Sequence, residues 1–443
     1  MGQGVLAAPA ADSARRVAAL FADAGLARHG ASLALAGVAL SDVARAVGTP
    51  TYVYNAAAIR RQFHALDAAL SAVPHRICFA VKANSNLGVL RILRDLGGGA
   101  DIVSAGELAR ALAAGFAPDR VVFSGVGKTA PELRAAIGAG LGHINVESLE
   151  ELELLAALAE SDGPPVSVGI RVNPDVTTET HPYISTGKSG IKFGVPADQV
   201  VVAADRILAH SRLVLTGVAM HLGSQLVDPA PFALGVGRLV ALAAELRGRG
   251  AAQLRTLDVG GGLGIRYDDG AGMDPVRYAE AVVPLVAPLG LTLYLEPGRF
   301  LVGGAGVLLT EVLYRKHSGG KDFVIVDAGM NDLVRPSHYQ AYHEIVELEA
   351  SRRPSARVDV VGPVCETGDF LALDRPLPAL ERGERLAVLG AGAYGFVMSS
   401  NYNTRPRAAE VIVDDGRFWV ARDREETAAL FAGERAADPG RPV

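Results

Sequence analysis

The sequence predicts a (β/α)₈ barrel followed by a β-rich domain, and three observations favour this fold class. The chain has 443 residues, more than one ordinary compact domain, although a (β/α)₈ barrel takes about 250 residues as a single unit. Short β-branched runs alternate with Ala/Leu-rich amphipathic runs through the middle of the chain, which is typical of a buried parallel sheet. Near residue 308 the alternation stops, and strands then follow one another with few helices between them.

The barrel prediction depends on eight strand candidates, since eight repeats imply closure rather than an open doubly wound sheet. These runs are Ile77–Lys82, Ala100–Ser104, Val121–Ser124, His143–Glu147, Val166–Asn173, Thr216–Leu222, Thr256–Gly260 and Leu291–Glu296. The helix candidates between them are Val89–Leu96, Glu107–Ala114, Pro131–Ala139, Leu149–Glu160, Pro196–His210, Pro231–Arg247 and Pro275–Leu289. Several begin at a proline, as helices often do, and Pro284 is expected to kink the last one.

The rest of the chain is expected to form a second, β-rich domain. Its strand candidates are Val307–Tyr314, Phe323–Asp327, Arg357–Val361, Arg385–Leu389, Ala408–Val413 and Arg417–Val420. A helix is predicted over Glu425–Phe431, and Ser32–Leu40 is expected to pair with this domain, while the tail Gly433–Val443 frays. The predicted division is an N-terminal segment packing with the β domain, the barrel, and the C-terminal β domain, at 1–48, 49–308 and 309–443.

Composition excludes several classes of protein. The formal net charge is −5 with 21% charged residues and no basic stripe, which argues against a nucleic-acid partner. The two cysteines, Cys78 and Cys365, make no disulfide framework and suit a reducing compartment. Residues 1–16 lack a signal-peptide pattern, and glycines or prolines interrupt the most apolar stretches. We therefore expect a soluble cytoplasmic protein that binds neither nucleic acid nor membrane.

Polar side chains follow nearly every predicted barrel strand, where active sites of this fold lie. The predicted strand ends carry Lys82, Asp101, Ser104, Ser124, Asn145, Glu147, Arg171, Asn173, His221, Ser224, Gly260, Gly261, Gly262 and Glu296. Such a lysine is costly unless it is paired or covalently used. Lys82 is therefore either a salt-bridged residue or a Schiff-base lysine, and its position alone does not distinguish the two. Glu296 needs a cationic or hydrogen-bond-donating partner, which is either a protonated ring nitrogen or Arg299.

Glycines follow the seventh predicted strand, in the run Gly260–Gly264. Phosphate sites in these barrels commonly lie after strands seven and eight, and glycines let the backbone approach phosphate oxygens. The alternative is a tight turn that needs fewer glycines. His221 is either a ring-stacking group or an ordinary hydrogen-bonded core histidine. A lysine, a phosphate cradle, a partner for a ring nitrogen and a stacking group together are what pyridoxal phosphate needs; a Schiff-base aldolase is the alternative.

Three other motifs do not pass their context test. Gly125–Thr129 ends like a phosphate-binding loop but lacks the first glycine, and Gly390–Gly395 is not followed by a good helix. His338 and His343 are five residues apart, which is not the spacing of a helical zinc pair. The sequence therefore predicts no metal site.

The second domain has its own cluster of reactive side chains. Cys365 precedes Glu366 in a stretch whose Thr, Gly and Asp residues favour a loop over a core strand; the alternative is that the thiol is a buried apolar filler. Arg335 lies near Tyr339 and is able to bind a carboxylate with two hydrogen bonds, the alternative being a surface ion pair.

These motifs resemble the fold-type III pyridoxal-phosphate decarboxylases, most closely the diaminopimelate decarboxylases, from about Thr51 to Phe431. The stretches that carry the resemblance are Phe79–Asn84, Gly99–Ser104, His221–Gln225, Gly260–Gly264, Glu296–Arg299, Met330–Pro336, Cys365–Asp369 and Gly392–Arg407. The resemblance implies a homodimer with two shared active sites and decarboxylation of meso-2,6-diaminopimelate to L-lysine and CO₂.

The resemblance also implies a role for each site residue. Lys82 would bind pyridoxal 5′-phosphate covalently with Asp101 beside it, and His221 would stack on the ring. The phosphate would be held by Gly260, Gly261, Gly262, Ser224 and the backbone of Glu296, Gly298 and Arg299. Glu296 would also contact the ring nitrogen, and Tyr394 both cofactor and substrate. Substrate carboxylates would be bound by Arg299, Arg335 and Tyr339, and the distal ammonium by Glu366. Cys365 of the other subunit would supply the proton that replaces CO₂.

One stretch departs from this family pattern and keeps alternatives open. Lys188–Gly194 replaces a more usual polar, acidic sequence, which leaves another diamino acid or a carrier-bound amino acid as substrate. An amino-acid racemase on the same fold is disfavoured by Glu296, since such enzymes usually place an arginine at the ring nitrogen. A non-catalytic pyridoxal-phosphate carrier is disfavoured by the residues after about 308.

Overall fold

The computed structural model describes residues 24–159, 164–176 and 191–435. They form two compact units, one spanning Ala58–Gly304 and the other combining residues up to Ala57 with those from Ala305 onwards. The strands in chain order are β1 (Leu26–His29), β2 (Ser32–Leu35), β3 (Val38–Ala39), β4 (Thr51–Asn55), β5 (His75–Ala80), β6 (Gly99–Ile102), β7 (Val121–Phe123), β8 (His143–Val146), β9 (Val166–Arg171), β10 (Leu213–Ala219), β11 (Thr256–Asp258), β12 (Thr292–Leu295), β13 (Gly306–Ser318), β14 (Lys321–Val326), β15 (Ile345–Glu347), β16 (Ser355–Val361), β17 (Phe370–Pro378), β18 (Arg385–Val388), β19 (Ala409–Asp414) and β20 (Arg417–Arg422). The α-helices are α1 (Leu40–Val47), α2 (Ala56–Ala69), α3 (Leu87–Asp95), α4 (Ala105–Ala114), α5 (Ala130–Ala139), α6 (Leu149–Leu158), α7 (Val200–Ala209), α8 (Ala230–Gly248), α9 (Pro275–Val286), α10 (Arg299–Val302) and α11 (Arg335–Tyr339).

The unit Ala58–Gly304 is a closed barrel of eight parallel strands, β5 to β12, with β12 pairing with β5. Each of the eight predicted strands overlaps one of these, so the predicted barrel is confirmed. The strands are apolar and nearly all buried, as in a sheet covered on both faces. Polar residues just after them cap the next helix: Ser104 and Ser148 accept the amide hydrogens of Glu107 and Glu151.

Most of the predicted barrel strands were too long at their carboxyl ends. Strand β5 ends at Ala80, so Lys82 lies in a single 3₁₀ turn, Val81–Ala83, and β11 ends at Asp258 rather than at Gly260. The reason is common to most of these ends, because the polar residues leave the hydrogen-bonded ladder as the chain turns towards the helices. Pro284 does not end α9, which continues to Val286 before a 3₁₀ turn.

The other unit is built on a sheet whose main path runs β17-β16-β14-β13-β4-β19-β20, with β18 pairing β13 and β15. Strand β4 lies between β13 and β19, although the predicted boundaries 49–308 placed residues 51–55 with the barrel. Strand β17 was not predicted, because Pro376, Pro378 and Asp374, whose φ is +49°, interrupt its alternation. The predicted helix at Glu425–Phe431 is wrong, since that segment forms only a 3₁₀ turn, Thr427–Phe431.

The N-terminal strands β1, β2 and β3 form a small antiparallel sheet of their own. Among the described residues, the predicted pairing of Ser32–Leu40 with the β domain consists of one bridge, Ser32 to Glu349, one backbone hydrogen bond from Leu33 N–H to the Leu348 carbonyl, and one from Ser32 Oγ to Glu349 Oε1 at 3.0 Å. The attachment is mainly apolar, because Leu33 and Leu35 are buried in a cluster with Val346 and Leu348. Residues 1–23 and 436–443, including most of the predicted frayed tail, lie outside the described residues. Within the described chain, no helix is both long and apolar enough to cross a membrane.

Candidate active site

Lys82 lies at the barrel rim, which we define as the last two residues of each of the strands β5 to β12 together with the turn that follows it. Its Nζ donates a hydrogen bond to Asp101 Oδ2 at 2.6 Å. The lysine side chain is 34% exposed, whereas the Asp101 side chain is fully buried. Burial raises the pKa of Asp101, and the charges of Lys82 and Arg171 oppose this rise. The amine is therefore held by a buried carboxylate while the lysine side chain stays partly exposed, which is the placement that a reactive lysine needs.

Glu296 follows β12 directly and is buried, with 7% exposure. Ser124 Oγ donates a hydrogen bond to Glu296 Oε1 at 3.3 Å, and Asn145 Nδ2 donates to Ser124 Oγ at 3.1 Å. Burial and the nearby Asp101 and Asp258 raise the pKa of Glu296 well above its usual value. The carboxyl group therefore favours its neutral form until a cation or a hydrogen-bond donor meets it.

The turn that carries Glu296 packs tightly against the turn that carries Lys82. A Cβ atom at Gly298 would lie 2.7 Å from the Ala83 Cβ and 3.1 Å from the Ala80 Cβ. Any side chain at this position would therefore push the two turns apart, so glycine is required. The close approach explains why the predicted cofactor-binding motif contains this glycine.

The glycines after β11 are required by the backbones around them. A Cβ at Gly260 would lie 2.5 Å from the Met220 carbonyl oxygen, one at Gly261 2.2 Å from the Glu296 carbonyl oxygen, and one at Gly262 2.5 Å from the Gly223 carbonyl oxygen. Gly260 and Gly262 also have φ values of +69° and +103°. Packing and conformation account for all three glycines, and the same absence of side chains leaves backbone exposed to a ligand. A phosphate cradle here stays a prediction.

His221 follows β10 and is tied to the glycine run. Its Nδ1 accepts the amide hydrogen of Gly261 at 3.1 Å, so its ring proton is on Nε2. Burial and the charges of Arg171 and Lys82 lower the pKa of His221 well below its ordinary value. The ring is therefore neutral at physiological pH and presents an uncharged face, which suits stacking on a planar group.

A further group of charged side chains lies at the ends of strands β8 and β9. Arg171 Nη1 donates to Glu147 Oε1 at 2.7 Å, and Glu147 also accepts the amide hydrogens of Gly125 and Gly194. Lys128, in the rejected phosphate-loop motif, is fully buried and bonds the carbonyls of Gly125 and Asn145 and the carboxylate of Glu151. These two networks hold rim loops in place, so Lys128 is structural.

Arg299 and Ser224 are brought together as the sequence predicted. The Arg299 guanidinium is buried and donates from Nη2 to Ser224 Oγ at 3.1 Å and from Nη1 to the Tyr267 hydroxyl at 2.7 Å. Sequence reasoning missed Tyr267, which lies in an irregular segment between β11 and α9. Glu296 accepts a hydrogen bond from Ser124 and lies near Asp258, so the alternative in which Arg299 is the partner of Glu296 finds no support.

In the other unit, the predicted thiol lies in a short loop, Gly362–Asp369, which we call the thiol loop. Asp369 closes this loop by accepting the amide hydrogens of Met330 and Val364, each at 2.6 Å. Cys365 is exposed, and its amide donates to Asn403 Oδ1 at 2.8 Å. A hydrogen bond to the Glu366 carboxylate raises the pKa of Tyr402. The loop is rigid at its base and presents the thiol and the carboxylate to solvent.

The other predicted substrate ligands lie in the same unit as the thiol loop. Arg335 is buried at the start of α11, and its Nη1 donates to His343 Nε2 at 2.8 Å. His343 Nδ1 donates to the Leu389 carbonyl at 2.8 Å, which makes Nε2 an acceptor and the ring neutral. His343, rejected above as a zinc ligand, therefore orients a guanidinium. Tyr339 ends α11, and Tyr394 has a φ of +56° in the loop after β18.

The barrel residues fit pyridoxal phosphate on their own chemistry. Three buried carboxyl groups, Asp101, Asp258 and Glu296, face one another, and Lys82 is the cation that bonds Asp101 directly. This excess of acid suits a cationic ring nitrogen, and the half-exposed amine suits an aldehyde. No cluster of three metal-ligating side chains occurs in residues 24–159, 164–176 and 191–435. Residues 188–190 of the divergent Lys188–Gly194 stretch lie outside the described residues.

Comparison with known proteins gives consistent matches. A family model described as the pyridoxal-binding domain of pyridoxal-dependent decarboxylases matches residues 56–303. The diaminopimelate decarboxylase of Pseudomonas aeruginosa is 52% identical over 404 residues, which cover 91% of this chain and 97% of that protein.

Solved structures are similar over the same span. The diaminopimelate decarboxylase of Helicobacter pylori complexed with L-lysine has a TM-score of 0.86 at 40% identity, covering 88% of this chain and 98% of that one. The enzyme from M. jannaschii, also in complex with L-lysine, has a TM-score of 0.89 at 33% identity, covering 94% and 99% of the two chains. The similarity therefore extends over the barrel and the β-rich unit alike.

Proposed function

Because the chain belongs to the pyridoxal-dependent decarboxylases, and within them to the diaminopimelate decarboxylases, we propose that it converts meso-2,6-diaminopimelate to L-lysine and CO₂. Its cofactor is pyridoxal 5′-phosphate. The observation that carries the chemistry is the placement of Lys82, whose amine is open to a ligand and held by the buried Asp101. The relatives indicate which substrate is used, since two of the similar enzymes bind L-lysine, the product of the proposed reaction, in their solved structures.

The barrel rim holds the cofactor. Lys82 Nζ would bind the aldehyde carbon, and Asp101 holds that amine in position through its 2.6 Å hydrogen bond. The neutral ring of His221 would stack on the pyridine, and Glu296 would bind the ring nitrogen. The phosphate would be held by Gly260, Gly261, Gly262, Ser224, Gly298 and Arg299. When bound, pyridoxal phosphate supplies an electron sink for the bond pair that the departing carboxylate leaves.

The second unit supplies substrate recognition and the final proton. Arg335, with Tyr339 and Arg299, binds substrate carboxylates, Glu366 binds the distal ammonium, and Tyr394 contacts cofactor and substrate. The Cys365 thiol donates a proton to the substrate carbon that has lost CO₂. Recognition at both ends is what a substrate with two amino-acid groups requires.

We further propose a homodimer with shared active sites, in which each copy presents its thiol loop to the other. Cys365 and Glu366 are exposed in the single chain, so a second copy is able to use them. An exposed catalytic thiol also needs reducing surroundings, which favours the cytoplasm.

A second candidate substrate class follows from the divergent stretch before Val195. Among its described residues, Phe193 packs its ring under the guanidinium of Arg171, at 5.0 Å. This stretch therefore contacts Arg171 at the end of β9, and a different sequence here is able to change which substrate is bound. Another diamino acid or a carrier-bound amino acid is the alternative substrate.

The test is CO₂ release by the purified protein with added pyridoxal phosphate. The panel contains meso-diaminopimelate, L,L-diaminopimelate, L-ornithine, L-lysine and L-arginine. We expect release from the meso compound with one L-lysine formed per CO₂. Preferred turnover of another compound in the panel would replace the substrate, and release from none would overturn the proposal. Lys82→Ala is the inactive control.

A further inference from the structure

Asp258 is a buried carboxyl group with no assigned role at the barrel rim. It is the last residue of β11, directly before the glycine run, and is 1% exposed. Its Oδ1 accepts the amide hydrogen of Gly260 at 2.9 Å, while its Oδ2 is buried without a conventional hydrogen-bond donor among the described residues. A buried acceptor of this kind costs free energy unless a proton donor reaches it.

The Glu296 carboxyl group is the neighbour that is able to supply that proton. Asp258 and Glu296 are both buried at the ends of neighbouring strands, β11 and β12, and each shifts the pKa of the other. The backbone fixes their approach, since Gly260 donates its amide hydrogen to Asp258 and accepts the Glu296 amide hydrogen at 2.8 Å. Two carboxylates that face each other in a dry core repel, and a hydrogen bond between them exists only if one of them carries a proton.

We propose that Asp258 is a positioning residue that shares one proton with Glu296, and that this proton fixes the Glu296 carboxyl group in the orientation that a pyridine nitrogen meets. Asp258 Oδ2, which is buried without a hydrogen-bond partner among the described residues, is the acceptor that a proton on Glu296 would reach. Ser124 Oγ holds the other side of the Glu296 carboxyl group at Oε1. The pair as a whole carries one negative charge. The consequence for the ring nitrogen rests on the proposed function, whereas the shared proton does not.

The charged and titratable groups around the pair agree with this assignment. Asp101 adds a further negative charge, and Lys82, which bonds Asp101, adds the opposing positive one. Cys78 on β5 and Tyr278 on α9 are buried beside Asp258, and both keep their protons because burial raises their pKa values. Asn145 and the Gly260 amide lower the pKa of Asp258 against the effect of burial. Burial raises the pKa of Asp258 to about 6 and that of Glu296 well above its ordinary value.

The test is a pH titration of cofactor-free protein in which aspartate and glutamate carboxyl carbons carry ¹³C, followed by NMR. Glu296→Gln assigns the Glu296 signal. In wild type we expect Glu296 to be protonated at neutral pH. In Asp258→Asn we expect its midpoint to fall by at least about one pH unit, because the repelling carboxylate is gone and the introduced amide donates to Glu296.

Thr216→Val is the matched control, since Thr216 is fully buried in the same barrel interior but bonds His143 and the Val168 carbonyl. It should leave the Glu296 midpoint unchanged. An unshifted midpoint in Asp258→Asn, or an ionised Glu296 at neutral pH in wild type, would overturn the inference. If Asp258→Asn does not fold, wild type decides, because a shared proton makes both signals titrate together in two steps and separate single steps exclude it.

A second measurement links the pair to the cofactor. Asp258→Asn should bind pyridoxal phosphate about tenfold more weakly, because the hydrogen bond that orients Glu296 towards the ring nitrogen is lost, as followed by the cofactor's absorbance. Equal affinity in Asp258→Asn and wild type would contradict the positioning role. Failure of the proposed decarboxylation would appear in the CO₂ assay, which neither of these measurements uses.

Discussion

At the barrel rim, Asp101, Asp258 and Glu296 are buried, and each has its carboxyl group bonded by neighbouring side chains or amides. In the thiol loop Gly362–Asp369, only the base is bonded tightly, through Asp369, and Cys365 and Glu366 are exposed. Desolvation at the rim shifts pKa values and pre-positions groups for a bound cofactor. Cys365 and Glu366 are not desolvated in this way, so the proposed shared site assigns the exclusion of water around them to a second copy of the chain.

Removing Lys82 from the rim should have the largest effect on activity. Lys82→Ala should lower kcat by about 10⁴- to 10⁶-fold, as expected when a nucleophile is lost, and should abolish the cofactor's covalent absorbance. Lys316→Ala, an exposed lysine on β13, is the matched control and should leave both unchanged. Retention of turnover in Lys82→Ala would mean that the rim does not hold the cofactor through this amine.

Removing the Cys365 thiol tests the contribution of the exposed thiol loop. Cys365→Ser should lower kcat by about 10²- to 10⁴-fold with little change in cofactor binding, because only the proton donor is lost. Cys78→Ser, at a buried thiol, should lower stability and leave kcat unchanged. Iodoacetamide should label Cys365 and not Cys78 in the native protein. A fall in kcat with Cys78→Ser but none with Cys365→Ser would reverse the assignment.

Two buried groups, one in each unit, should make the free energy of unfolding depend on pH in opposite directions. Burial lowers the pKa of His143 in the barrel to about 4, below its unfolded value, so its contribution to the free energy of unfolding falls as pH drops from about 6.5 to 4. Burial raises the pKa of Asp332 in the other unit to about 7, so its contribution falls as pH rises from about 4 to 7.

Urea unfolding across this pH range checks both signs. As pH falls from about 6.5 to 4, the free energy of unfolding of His143→Gln should decrease by about 3 kcal/mol less than that of wild type. As pH rises from about 4 to 7, the free energy of unfolding of Asp332→Asn should likewise decrease by a similar amount less than that of wild type. His317→Gln, at an exposed histidine, should follow wild type. Equal slopes in wild type and both buried variants would show that these groups titrate as they do in the unfolded chain.

The orientation of Arg335 by His343 should give the smallest effect. His343→Ala removes one hydrogen bond to a charged group, about 1.5 kcal/mol, so KM for the substrate should rise about tenfold with little change in kcat. His317→Ala is again the exposed control. A fall in kcat at constant KM would place His343 in the chemical step instead.

Sequence reasoning found most of the rim because strand alternation locates strand ends, and the chain itself carries Lys82, Asp101 and Glu296 to those ends. It did not find the contact of Asp258 with Glu296, because Asp258 lies inside the predicted strand Thr256–Gly260, and the position of a residue in a strand does not by itself show that its side chain points towards the site. It rejected His343 on its spacing from His338, whereas its role comes from Arg335, eight residues away along the chain. Strand β4 was missed because its partners, β13 and β19, are more than 200 residues away.

Mixing two inactive variants tests the central claim, that the rim of one copy works with the thiol loop of another. Lys82→Ala and Cys365→Ser are unfolded and refolded together in equal amounts, and CO₂ release from meso-diaminopimelate is measured. Half of the dimers are then mixed and each mixed dimer has one intact site, so we predict about one quarter of the wild-type rate. No gain over the separate variants, with mixed dimers shown to form, would contradict the shared site.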